Sequence, residues 1–342
     1  MTCDGLPDPM RELNETKLRN IVKPKVWRTV IMSLNRRRVG VTICLALTVA
    51  MAGLVSCKKT PSYETFASPD EAGDALLQAA KSGDQNQVLA VFGPQAKNVI
   101  FSGDATQDKA AVDAYIQGYG TMHRWRKMPD GSQLLLVGAD NFPFPIPLRK
   151  TADGKWFFDA GAGEEEILRR RIGRNELAVI DVCYAIADAQ AEYYSQPRNG
   201  ETAQEFAPRF LSEPGKQNGL YWESAEGQPP SPLGPLVALA THEGYNAKPD
   251  AHVPFHGYYF KMLSSQSSNA PGGAKDFVVN GKMTGGYAFI AYPANYGNSG
   301  VMTFIINQDD VLLQKDLGKS TIQAAEAITA FDPDKSWSVV TD

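Results

Sequence analysis

The side chains that could do chemistry are few and scattered. Four histidines occur: His123, His242, His252 and His256. His252 and His256 stand four apart, but Pro254 between them keeps them off a shared helix face. Zinc needs three or four converging ligands, and the chain has no His-Glu-x-x-His run and no cysteine pair. No metal and no cofactor is therefore expected. No Gly-x-Ser-x-Gly occurs, and Ser299 lies in "GNSG", a glycine-rich loop. "GAG" at 161–163 lacks the third glycine of a dinucleotide fingerprint. Cys183 falls within an apolar helical pattern and reads as a small core residue, not a nucleophile. Carboxylates are plentiful, but sequence alone does not pair them, so no catalytic residue is named. The residues best suited to binding are aromatic. Tyr221, Trp222, Tyr258, Tyr259 and Phe260, with His256 beside them, could stack on a sugar or dock a peptide, and the same residues could equally fill a core and its rim.

Charge narrows the partners. The chain has 34 Lys+Arg and 38 Asp+Glu over 342 residues. Its first 56 residues hold nine basic and four acidic side chains, which leaves 25 basic and 34 acidic from Cys57 onward. An acidic body argues against nucleic acid, because neutralising phosphate needs clustered Lys and Arg. Of the four cysteines, Cys3 and Cys44 lie upstream of the cleavage expected before Cys57 and Cys57 would carry lipid, which leaves Cys183 and no internal disulfide. With 43% apolar and 10% aromatic residues, a hydrophobic core can hold the fold.

The run from Val39 to Ser56 carries no charge and follows Arg36-Arg37-Arg38. A basic patch, an apolar stretch and small residues make a secretory signal. An uncleaved membrane-spanning anchor is the competing reading, borderline in length. Leu54-Val55-Ser56-Cys57 resembles the lipobox of bacterial lipoproteins. That resemblance implies diacylglycerol on Cys57, cleavage before it and acylation of the new N-terminus; several acyl chains anchor stably where one does not. Lys58 in place of Asp then favours the outer membrane, facing the periplasm. Met32 opens a signal of ordinary length, so the layout reads as an upstream extension (1–31), a lipoprotein signal (32–56) and a lipidated tether (57–65). Two domains follow, 66–163 and 164–335.

The elements that would position any site come next. Ser68, Pro69 and Glu71 form a capping box with proline at the first helical position, and Ala72, Ala75, Leu76, Ala79 and Ala80 repeat at helical spacing. A short helix, "QNQVLAVFG", and a third over 107–119 follow. Strands are expected near 123–128, 133–137, 146–150 and 155–159, the last two flanking Asp153-Gly154. "NFPFPIPL" reads as an extended edge. Helices before antiparallel strands give an α+β unit, and "LLQAAKSGDQNQVLAVF" resembles the first helices of nuclear-transport-factor-2-like cones. In the second domain, Glu165/Arg169 and Glu166/Arg170 have i,i+4 spacing, and Gly173 permits a bend. A helix over 175–194 shows two apolar seams: Leu177, Ile180, Tyr184, Ala187, Ala191 and Tyr194, and beside them Val179, Cys183, Ile186 and Tyr193. Two seams predict a broad buried face laid on a sheet.

Asn175-Glu176, Ala178, Ile180, Ile186, Ala189-Gln190 and Tyr193 resemble the soluble helix of type IV pilin-like domains. "GYYFKML" and the stretch from Tyr287 to Gly318 resemble their strands. No apolar stalk precedes Asn175, so this resemblance implies the fold without pilus assembly. "DNFPFPIPL", "EEILRRRIGRNELA", "RFLSEPGKQNGLYW", "PPSPLGPLVA", "HGYYFKML" and "YGNSGVMTFIIN" together resemble the DUF2950 family of the bacterial envelope, over nearly all of the mature chain. The family resemblance implies a secreted or lipid-anchored protein and no particular reaction. The expected role is docking or scaffolding for an envelope protein or surface polysaccharide, with the membrane as partner through the lipid. The alternatives are an envelope hydrolase using carboxylates or His256 between the domains, and a small-ligand carrier using the cone.

Overall fold

Ser68 accepts a hydrogen bond from the Glu71 amide, and Glu71 reaches back to the Ala67 amide at 2.8 Å. The capping box thus opens helix α1, Pro69–Ser82. The computed structural model describes residues 63–341 except 199, 225–226, 228–229 and 247–252. Cys57, the signal, the upstream segment, most of the tether and His252 lie outside the described residues. After α1 come α2 (Gln85–Phe92), α3 (Lys97–Ile100) and α4 (Ala105–Thr121). The sheet that follows is antiparallel: β1 (His123–Lys127), β2 (Gln133–Val137), β3 (Phe142–Pro143), β4 (Leu148–Lys150) and β5 (Trp156–Phe158), in the order β1-β2-β4-β5 with β3 beside β2. Phe66 bridges to Trp156 beyond β5, so the chain enters this lobe at the edge opposite β1. α1 and α2 pack against β5 and α4 against β1 and β2. Leu76, Phe92, Ile146, Leu148 and Phe158 fill the space between.

Helix α5 then runs from Ala160 to Tyr194 as one piece, capped by the Asp159 carboxylate. It stays helical through residues 163–164 and through Gly173, where a bend was expected. Glu166 bonds both Arg169 and Arg170, and Arg170 also donates to the Pro143 carbonyl at 2.8 Å. The upstream end of α5, with Ala160 and Ile167, closes the first core. Val179, Val182, Cys183, Ile186 and Tyr193 farther along belong to the second.

The second lobe has a short helix α6 (Gly234–His242) and a sheet ordered β15-β13-β12-β11-β6. Its strands are β6 (Tyr258–Leu263), β11 (Ala288–Pro293), β12 (Met302–Asn307), β13 (Leu313–Asp316) and β15 (Ser338–Val339). β7 (Ser265–Gln266) continues β6 into a small sheet with β8 (Lys275–Asp276) and β14 (Ala330–Phe331), and β9 (Val278–Val279) turns back on β10 (Lys282–Met283). α5 packs on β12 and helix α7 (Thr321–Ala327) on β11. Lys261 donates three bonds to carbonyls at the end of α7, while Tyr258 lies beside Glu176 and Cys183 of α5. Alternate residues of a strand face opposite ways, so the two helices cover opposite faces. All six residues of β11 are buried, as a strand covered on both faces requires. Helices with antiparallel sheets make the protein α+β.

The broad face expected of α5 is narrower than the two seams suggested. Val179, Cys183, Ile186 and Tyr193 are buried, with Ala187 from the other seam. Leu177 is 68% exposed and Tyr184 41%, and Ala191 and Tyr194 also face outward. One sheet covers about half the circumference of a helix, and adjacent seams share a period, so periodicity alone does not choose between them.

Candidate functional site

The densest polar construction lies where α5 passes from one lobe to the other. Arg171 lies one helical turn before the adjacent pair Asn175 and Glu176. Arg171 as a residue is 6% exposed. It donates to the carbonyls of Val99 at 2.7 Å and Ile100 at 3.2 Å in the first lobe, and to the Asn298 side chain in the second. Burial lowers its pKa, nearby Asp108 offsets part of that and Arg174 adds to it; an arginine stays charged regardless. Asn175 donates to the Ser299 carbonyl at 2.9 Å. One Glu176 oxygen accepts from the amides of Val301 and Met302, both at 2.9 Å. The loop from Asn295 to Gly300 is thereby held on α5. A Cβ at Gly300 would overlap the Tyr258 hydroxyl, so close approach requires glycine there, whereas Gly297 has open space and a φ of 75°.

A second group of ionisable side chains sits nearby. Asp104 is buried; one carboxylate oxygen caps α4 through the amides of Thr106 and Gln107, and the other accepts from the Tyr245 hydroxyl at 2.7 Å. This bond joins the first lobe to the segment after α6. Tyr245 also packs edge-on to Phe255 and His256. His256 Nε2 stands 3.2 Å from Glu243. Phe255 and Tyr258 exchange both backbone bonds, so His256 and Gly257 are the central pair of a two-residue hairpin turn. Their φ values are 48° and 74°, the pattern of a type I′ turn, which favours Asn-Gly. Non-glycine residues take this conformation infrequently, and histidine is among those that tolerate it best. Burial lowers the His256 pKa below its ordinary value; Glu243 and Asp104 oppose the shift and Arg174 adds to it. Burial and the bond to Asp104 push the Tyr245 phenol up. Among the described residues no three His, Cys, Asp or Glu side chains gather as a metal would require.

The structure distributes the aromatic residues singled out by sequence. Tyr258 is fully buried, packs on Phe304 and donates to the Met302 carbonyl at 2.9 Å. Tyr259 points to the opposite face, against Tyr292. Trp222 is half-buried under the Arg198 guanidinium, which also lies over Tyr193. Tyr221 bridges to Leu211 and packs on the same core. His256 belongs to the Glu243–Tyr245 group. Tyr258 and Tyr259 are thus parted by the sheet, and Trp222 and His256 have different neighbours. Cys183 is buried, and burial raises its thiol pKa, as for an inert core cysteine. Sequence reasoning passed over Arg171, Asp104 and Tyr245. Their partners lie 72, 141 and 141 positions away, and no local pattern marks such pairs.

A family model described as "Protein of unknown function (DUF2950)" matches residues 63–340. No curated protein and no solved structure matches the chain.

Proposed function

The chain belongs to the DUF2950 family, and we propose that it is a docking module of the cell envelope, held at the membrane by lipid on Cys57 and facing the periplasm from the outer membrane. One observation carries the docking role. The polar groups at the junction are engaged in holding the lobes together: Arg171 on three acceptors, Glu176 on two amides, Asp104 on α4 and Tyr245. A scaffold needs two surfaces fixed at a constant spacing, and a single helix through both cores with a bonded junction supplies it. Among the described residues no helix is long and apolar enough to cross a membrane, and the lipobox supplies the attachment in this reading. The test is crosslinking in cells followed by mass spectrometry, on wild type and Cys57→Ala. One abundant envelope protein or polysaccharide partner, lost with the anchor, is expected. No partner in either form would overturn the docking role.

A second reading rests on His256. Its imidazole is held by Glu243 at the first central position of a two-residue turn, with φ of 48°. A neutral, oriented imidazole beside carboxylates could serve as a general base for hydrolysis, and His256→Asn separates the two readings.

A further inference from the structure

We propose that the outer edge of β6 is a strand-shaped slot that binds an extended segment of a partner polypeptide; the inference rests on the docking reading and names the surface and partner chemistry. β6 is the last strand of its sheet, paired on one side with β11. The pairing register runs from Tyr258↔Pro293 to Leu263↔Ala288, and the Ala294 amide donates to the Gly257 carbonyl. In an antiparallel ladder the bonded pairs alternate. Positions 259, 261 and 263 therefore bond β11, and 258, 260 and 262 turn their amides and carbonyls outward. Tyr258 spends its outward pair on Phe255. Phe260 and Met262 have no backbone partner among the described residues.

The slot has defined ends. At one end stands the Phe255–Tyr258 turn. At the other, Ser264 accepts from the Phe277 amide and β8 runs along β7 on the same outer side. A chain continuing β8 would lie along β6, but this one leaves at Val278 and folds into the β9–β10 hairpin. About five residues of edge remain, roughly 17 Å at ~3.4 Å per residue. Beside the β8 end is a cavity of about 380 Å³, walled by Pro208, Met262, Val278, Met283 and Ile328. Lys261 and the exposed Glu326 also border it, and the Lys261 ammonium is taken by the carbonyls of Ala325, Glu326 and Ile328. An apolar side chain of the incoming strand fits there. The complement of outward amides and carbonyls is another backbone, and alternate side chains supply selectivity.

The far edge of the first sheet is built differently. β1 exposes His123, Arg124, Arg126 and Lys127, the charged edge that proteins use to repel stray strands. β6 offers one charged residue, Lys261, already bound to α7.

The test uses the full chain. Random heptapeptides are displayed and selected on it, and the selected peptides are the probes. We expect an alternating apolar pattern in them, and roughly ten-fold slower exchange of the Phe260 and Met262 amides when they bind. Met262→Pro removes an outward amide and spares the ladder to β11, and should weaken binding roughly ten-fold or more, whereas Met262→Leu keeps it. Methylating alternate amides of the peptide abolishes binding without altering the protein, so the test survives if the proline variant fails to fold. Peptides that protect other amides, or bind Met262→Pro unchanged, overturn the slot, as does a selection that enriches none. A crosslinked envelope partner kept by Met262→Pro would sink the slot and leave docking standing; loss of every partner from wild type would sink docking itself.

Discussion

The two halves of α5 do opposite work with one backbone. Upstream, around Arg171, Asn175 and Glu176, the helix spends charged and amide groups on carbonyls and amides of both lobes. Downstream, from Val179 to Tyr193, it spends mainly apolar surface on one core, with the buried Gln190 amide bonding Ala207 as the polar exception. Apolar burial is non-directional and tolerates small shifts. Hydrogen bonds to buried charge demand fixed geometry, and a lost partner leaves a desolvated group behind. The difference teaches that the downstream half holds the second lobe together, whereas the upstream half sets how the lobes stand.

This contrast can be broken by mutation. Ile186→Ala should produce the largest loss, about 3 kcal/mol, because a fully packed site keeps most of the cavity. Chemical denaturation measures it, and amide exchange should quicken across β11 and β12 together. Arg171→Met should cost about 2 kcal/mol, since the carbonyls of Val99 and Ile100 lose a charged donor. Its signature is local: exchange should quicken near α3 and the Asn295–Gly300 loop while β11 and β12 keep their protection. Equal loosening everywhere would show that the two halves are one cooperative unit.

How much of this was legible in the sequence follows the same division. The capping box at Ser68, the pairing across the Thr151–Lys155 turn and strand β2 at 133–137 stand where local patterns put them. So does the downstream half of α5, because a repeating apolar face is a local signal. Which seam is buried was not legible, since burial of Cys183 and exposure of Tyr184 depend on where the sheet lies. Nor was the unbroken run through Gly173. An isolated glycine lowers helix propensity by only about 1 kcal/mol, and packing at both ends outweighs that. The junction was illegible for a deeper reason: Arg171 meets Asn298 and Asp104 meets Tyr245 only after the chain has folded. The His-Gly turn was in plain view, but a hairpin centred on His256 in place of Asn departs from the usual turn signal.

Acid should act on the polar half and spare the apolar one. The folded-state pKa of His256 is lowered, so the unfolded chain binds the proton more readily. The stability it contributes is present above the ordinary value of about 6.5 and is lost as pH falls through the folded pKa. Glu243 on the segment after α6 and Asp104 at the start of α4 moderate the loss by attracting the imidazolium, and Arg174 on α5 deepens it. Exchange followed from neutral pH downward should quicken first around Tyr245 and the 255–258 turn. A uniform response across β11 and β12 would remove the distinction.

The smallest expected effect separates the two functional readings. His256→Asn deletes the contact with Glu243 and places in the turn the residue that a type I′ turn favours. These changes oppose one another, and the smaller side chain also gives up packing against Tyr245 and Phe255, so a loss of about 1 kcal/mol or less is expected. The acid response near Tyr245 should shrink, because the group responsible is gone. If partner capture in cells also stays unchanged, the histidine is a turn residue with a polar contact, and the junction is a lock. If wild type hydrolyses envelope material and His256→Asn does not, while the fold and the Asp104–Tyr245 bond persist, the imidazole is wanted for its chemistry. The strain at φ 48° is then stored for use, and the general-base reading displaces the docking one.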